Sequence, residues 1–93
     1  MVRKWVIITY DIPDDYIRTR VANKLKDYGL DRLQKSVFKG KLTRNEAEEV
    51  REILLRVVGD KEADIRIFFI CRKCWDQQIV VKRMYIDEEE AII

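Results

Sequence analysis

The chain has 93 residues, enough for one small domain. It is 47% hydrophobic and 39% charged, with a formal net charge of +2 and no histidine. The missing histidine excludes His-based triads, His metal sites and a His general base, so metal chemistry would fall to carboxylates, which suit Mg2+ or Mn2+ better than zinc. The small net charge conceals an asymmetry. Residues 1–44 carry 11 Lys/Arg against 5 Asp/Glu, and residues 45–93 carry 8 against 12. A basic first half suits contact with phosphates, and equally a solvated mixed-charge surface. No run approaches the roughly 18 apolar residues of a membrane span, and Met1-Val2-Arg3-Lys4 does not read as a signal peptide. The expected location is cytoplasmic, with no membrane contact.

The first predicted element is a strand from Arg3 to Asp11, centred on Trp5-Val6-Ile7-Ile8-Thr9-Tyr10. These are residue types that fit a pleated surface. Val6, Ile8 and Tyr10 fall on one face and Trp5 and Ile7 on the other, so both faces want cover. Asp11 sits where the strand stops, and Pro13 prevents simple continuation. A carboxylate there is either a turn residue or part of a site. Asp14 can cap a helix whose apolar stripe is Ile17, Val21, Leu25 and Tyr28, with Gly29 ending it. Leu30 to Leu42 has strand character and reads either as one long bent strand or as two short ones, with two preferred.

Thr43-Arg44-Asn45-Glu46 is a capping box ahead of a second helical stripe: Ala47, Val50, Ile53, Leu54 and Val57. Gly59 stops that helix. Ile65 to Cys71 is a second strongly apolar strand, Arg72 to Gln78 a connection, and Ile79 to Tyr85 a last strand. The expected fold class is α+β: a ferredoxin-like βαββαβ plan over residues 1–85 with an extra C-terminal strand, then an acidic tail over 86–93. Two helices cover one sheet face only. The apolar residues on the other face therefore predict a homodimer packed sheet to sheet.

Cys71 and Cys74 form a C-x-x-C, half of a zinc site with no second pair in the chain. A redox pair would open a helix and not close a strand, so Cys71 is read as a small buried hydrophobe and Cys74 as a loop thiol.

Tyr10-Asp11-Ile12-Pro13, Arg18 in the following helix, and Gly29-Leu30-Asp31-Arg32-Leu33-Gln34-Lys35-Ser36-Val37-Phe38 together resemble the small CRISPR-associated protein of the Cas-two family. The resemblance covers nearly the whole chain in order, spacing and length. It implies a ferredoxin-like homodimer acting in CRISPR adaptation (spacer acquisition), bridging two dimers of the integrase subunit and holding the DNA to be inserted. It also implies Mg2+-dependent endonuclease activity, on single-stranded RNA in some members and duplex DNA in others. Asp11 then becomes the catalytic, metal-binding carboxylate. The bare chemistry agrees: Mg2+ takes one or two carboxylates and fills its octahedron with water and substrate phosphate, and a sheet-to-sheet dimer could bring two Asp11 residues together.

Arg18, Arg20 and Arg32 are the expected phosphate binders, because a guanidinium offers a bidentate fork. Each is also compatible with an ordinary ion pair. Tyr10 is expected in or near the dimer seam, Phe38 in the core, and Ser36 near the metal as a hydrogen-bond donor. The alternatives are a stand-alone endoribonuclease of the VapD toxin type and a non-catalytic nucleic-acid-binding scaffold.

Overall fold

The computed structural model of the chain describes residues 2–83. Its elements are β1 (Lys4–Asp11), α1 (Asp15–Asp27), β2 (Asp31–Gln34), β3 (Val37–Leu42), α2 (Arg44–Val58), β4 (Asp64–Ile70) and α3 (Arg72–Asp76). The four strands form one antiparallel sheet in the order β2-β3-β1-β4. This is the βαββ-α-β part of the ferredoxin-like plan, with β1 central.

Local chemistry explains both helix starts. The Asp14 carboxylate accepts the Ile17 N–H at 2.9 Å and opens α1. At α2 the capping box is closed both ways: Thr43 Oγ1 accepts from the Glu46 N–H at 3.0 Å, and Glu46 Oε1 accepts from the Thr43 N–H at 2.8 Å. Gly29 ends α1 with φ of +78°, a conformation that favours glycine.

Strand alternation sorts β1 into two faces. Val6, Ile8 and Tyr10 point with Phe38 and Leu42 into a core completed by Ile17, Val21 and Leu25 of α1 and Val50 and Leu54 of α2. Both helices thus lie on one face. Burial of such side chains stabilises by about 1.5–3 kcal/mol each. Leu30 reaches over Gly40 so closely that an added Cβ would stand 2.4 Å from its Cδ2. The opposite face carries Trp5, Ile7 and Thr9, paired in register with Ile70, Phe68 and Arg66 of β4 and with Lys41, Lys39 and Val37 of β3. Trp5, Ile7 and Thr9 are only half-buried there, and Phe68 is 49% exposed.

Leu30–Leu42 is two strands, β2 and β3, turning at Lys35 and Ser36, with a register shift between Arg32 and Gln34. Three expectations need correction. The stretch 72–78 is not merely a connection. It contains α3, a helix too short to show periodicity, braced by the Arg72–Asp76 ion pair at 3.6 Å. Trp75 of α3 stacks on Trp5, with ring centroids 4.0 Å apart and planes within 6°, and so covers one end of the open face. The last strand does not form over residues 79–83. Ile79, Val80 and Val81 are exposed and join neither edge of the sheet, and apolar β-branched residues become a strand only where an edge pairs with them. Residues 84 and 85 of that segment, and the tail 86–93, lie outside the described residues. Finally, Cys71 is exposed, as is Cys74, because the chain leaves the sheet at Ile70 and Cys71 becomes the N-cap of α3.

Candidate active site and nucleic-acid interface

β1 ends by placing consecutive side chains on opposite sides of the sheet. Tyr10 turns inward and Asp11 turns out to solvent on the open face. Directly across the ladder from Asp11 stands Asp64, the first residue of β4. Like charges in facing positions repel, and Arg66 offsets this: its Nε donates to Asp64 Oδ1 at 2.9 Å and its Nη2 to Oδ2 at 3.0 Å. That fork holds the Asp64 carboxyl below the usual carboxylate range. Thr9, Asp11, Asp64 and Arg66 line a shallow cleft of about 260 Å³ backed by Tyr10.

A second cleft lies on the helix side of the same strand end. Arg18 and Lys26 of α1 and Arg32 and Lys35 of the β2–β3 hairpin converge there, again around Tyr10. Arg18 is held in place, its Nη1 donating to the Ile12 carbonyl at 3.0 Å and its Nη2 to Asp15. Arg32 lies over the buried Phe38 ring, 5.3 Å from its centroid. The Tyr10 hydroxyl donates to the Lys35 carbonyl at 3.3 Å, and its ring packs 6.2 Å from that of Phe38. Burial raises the Tyr10 pKa, against the opposing pull of Arg32 and Arg18.

The structure therefore unites Arg18 with Arg32 and sets Arg20 apart. Arg20 stacks over Tyr16 at 5.8 Å and shares a different surface with Lys24 and Arg56. Tyr10 is not on the open face where a sheet-to-sheet seam would lie. Strand alternation places it in the core, 5% exposed. Ser36 occupies the hairpin turn, where its carbonyl accepts the Tyr10 N–H at 3.1 Å.

Sequence reasoning missed Asp64, Lys26 and Lys35. The signal for Asp64 was available in principle, since an antiparallel β4 beginning at Asp64 places its first residue opposite Asp11, the last of β1. Among the described residues no group of three or more His, Cys, Asp and Glu is placed so as to hold a metal ion. Asp11 and Asp64 are a facing pair of carboxylates. That suits an oxygen-seeking ion that fills its remaining positions with water and phosphate, and does not suit a closed zinc site.

A sequence model of the family described as CRISPR associated protein Cas2 matches residues 4–78. This chain belongs to the Cas2 family. A CRISPR-associated endoribonuclease Cas2 of Pyrobaculum aerophilum is 40% identical over 75 residues, covering 81% of this chain and 82% of that protein. A CRISPR-associated endonuclease Cas1/endonuclease Cas2 fusion of Thermoproteus tenax is 37% identical over 75 residues, covering 81% of this chain and 28% of the fusion. The crystal structure of a hypothetical protein from Thermus thermophilus superposes with a TM-score of 0.74 at 31% identity, covering 89% of this chain and 94% of that one. The Cas2 match takes in β1, the hairpin and both long helices, and so includes both clefts. No helix among the described residues is long and apolar enough to cross a membrane.

Proposed function

We propose that this Cas2 chain is a nucleic-acid-binding subunit of CRISPR adaptation with phosphodiester-hydrolysing capacity centred on Asp11 and served by Mg2+ or Mn2+. The observation that carries the reading is the paired arrangement at the end of β1. Outside it stands the carboxylate pair Asp11 and Asp64; inside it converge Arg18, Lys26, Arg32 and Lys35. Asp11 and Asp64 would hold the ion, which supplies Lewis acidity to a phosphodiester and to water. Arg66 fixes Asp64 in an ionised state facing Asp11. The basic cleft attracts and orients the phosphate backbone, a sequence-independent and salt-sensitive interaction.

The half-exposed open face, with Ile7, Phe68 and Ile70, supports a sheet-to-sheet homodimer. The existence of a Cas1/Cas2 fusion supports an integrase subunit as partner. A scaffold without cleavage is the second reading. It is favoured by the fact that both Asp64 oxygens already accept from Arg66.

One nuclease assay separates the two: RNA, single-stranded DNA and duplex DNA, each with and without Mg2+, beside Asp11→Ala. Metal-dependent cleavage lost in Asp11→Ala, with binding retained, supports the nuclease. Cleavage equal to wild type in that variant removes Asp11 from the chemistry and leaves the scaffold.

A further inference from the structure

The cysteine pair takes no part in either cleft. Cys71 follows β4 directly and its carbonyl accepts the Trp75 N–H at 2.9 Å, the first bond of α3; Cys74 lies three residues on. Both side chains are free and exposed. Helical spacing puts Cα atoms three residues apart at about 5 Å, inside the roughly 4.4–6.8 Å over which a disulfide closes. Cys71 stands at the N-cap of α3 and Cys74 one turn on, so the pair opens a helix as a redox pair does. We propose that Cys71 and Cys74 are a dithiol–disulfide redox site that exchanges with low-molecular-weight disulfides.

The two sulfurs are not equivalent. The Cys74 N–H, then the Cys74 thiol, then the Lys73 N–H draw the Cys71 pKa down, although none of these N–H groups closes a full capping bond. Cys74 is pushed up by its thiol hydrogen bond and by the charge on Cys71. Cys71, at the N-cap of α3, is the attacking thiolate and Cys74, one turn on, the resolving thiol. The Cys71 thiolate attacks one sulfur of the disulfide RSSR and expels RS−, which takes up a proton. Cys74 then loses its proton to solvent and attacks the Cys71 sulfur, expelling the second thiolate, which is protonated in turn. The protein pair gives up two electrons and two protons; one RSSR becomes two RSH.

The test equilibrates the full chain with oxidised and reduced glutathione, traps free thiols with an alkylating reagent, and reads the intact mass. The expected product is a monomeric chain that has lost two hydrogens and regains both thiols in dithiothreitol. Cys74→Ser should stop at a stable glutathione adduct on Cys71, and Cys71→Ser should react about tenfold more slowly than Cys74→Ser. Two alkylated thiols after equilibration with excess oxidised glutathione, disulfide-linked dimers in place of the internal bond, or equal rates in the two variants overturns the proposal.

Discussion

Asp11 and Asp64 are the last facing pair of the β1–β4 ladder, two carboxylates directly opposite each other at the solvent end of the sheet. An arrangement that costs electrostatic energy persists because Arg66 grips one partner through both oxygens. Replacing Asp64 by Asn should leave the fold intact, since the residue is exposed. It should also weaken Mn2+ binding by about tenfold relative to wild type, as loss of a ligand or of its orienting partner commonly does. Titration calorimetry with Mn2+ reads this. Unchanged affinity in Asp64→Asn would mean that Asp11 acts without it.

The two arginines that share the inner cleft should differ from the one that does not. Arg32→Ala should flatten the dependence of log K on log salt by about one unit for duplex DNA. Arg20→Ala, with its side chain over Tyr16, should change that slope much less. Fluorescence anisotropy across a salt series measures both. Equal losses would relocate the phosphate track onto the outer face of α1.

The closed capping box of α2 gives a stability prediction with a pH signature. Thr43→Ala should cost about 1 kcal/mol of unfolding free energy. The Thr43 N–H, followed by Arg3, holds the Glu46 pKa below its ordinary value. A folded-state pKa lower than the unfolded one means the contribution is whole above the ordinary carboxylate range and disappears as pH falls through the lowered value. The stability gap between wild type and Glu46→Ala should therefore narrow on acidification. Denaturant melts at neutral and acid pH test it, and a constant gap would show that Glu46 acts through packing alone.

Gly40 and Leu30 form a tight fit in the hairpin that carries Arg32 and Lys35. Gly40→Ala drives a methyl against the buried Leu30 side chain and should cost about 1–3 kcal/mol. Leu30→Ala in the same chain should recover part of that loss. The double variant would then be less damaged than the sum of the singles. Thermal melts of the four proteins read the coupling, and strict additivity would show that the hairpin yields elsewhere.

Local rules carried most of the fold. Asp14, Thr43 and Glu46 act as the caps their spacing implies, and Ile17, Val21 and Leu25 are buried as the helical stripe requires. The position of Asp11 at the end of β1 was legible from Pro13 and the apolar run before it, whereas the separation of Arg20 from Arg18 and Arg32 was not. The failures share one physical character, because each depends on a partner distant in sequence. Asp64 matters only through the register of β4 on β1. Lys26 and Lys35 matter only because α1 and the hairpin meet. Ile79–Val81 has strand composition but no edge within the described chain. Cys71 looked like the end of an apolar run, and its exposure follows from the turn into α3, a helix anchored by Trp75 resting on Trp5.

The Trp5–Trp75 stack has an experimental consequence. These are the two tryptophans of the whole chain, and they sit in a single joint between the first strand and the short helix after the last described one. Intrinsic fluorescence of this protein is therefore a local gauge of whether that joint is shut. It is not a global gauge of the layer formed by α1 and α2, which far-ultraviolet ellipticity follows. A five-residue helix undocks at lower cost than the core unfolds. An emission melt read as global unfolding would thus understate the stability of the domain, and overlaying the two signals separates the joint from the fold.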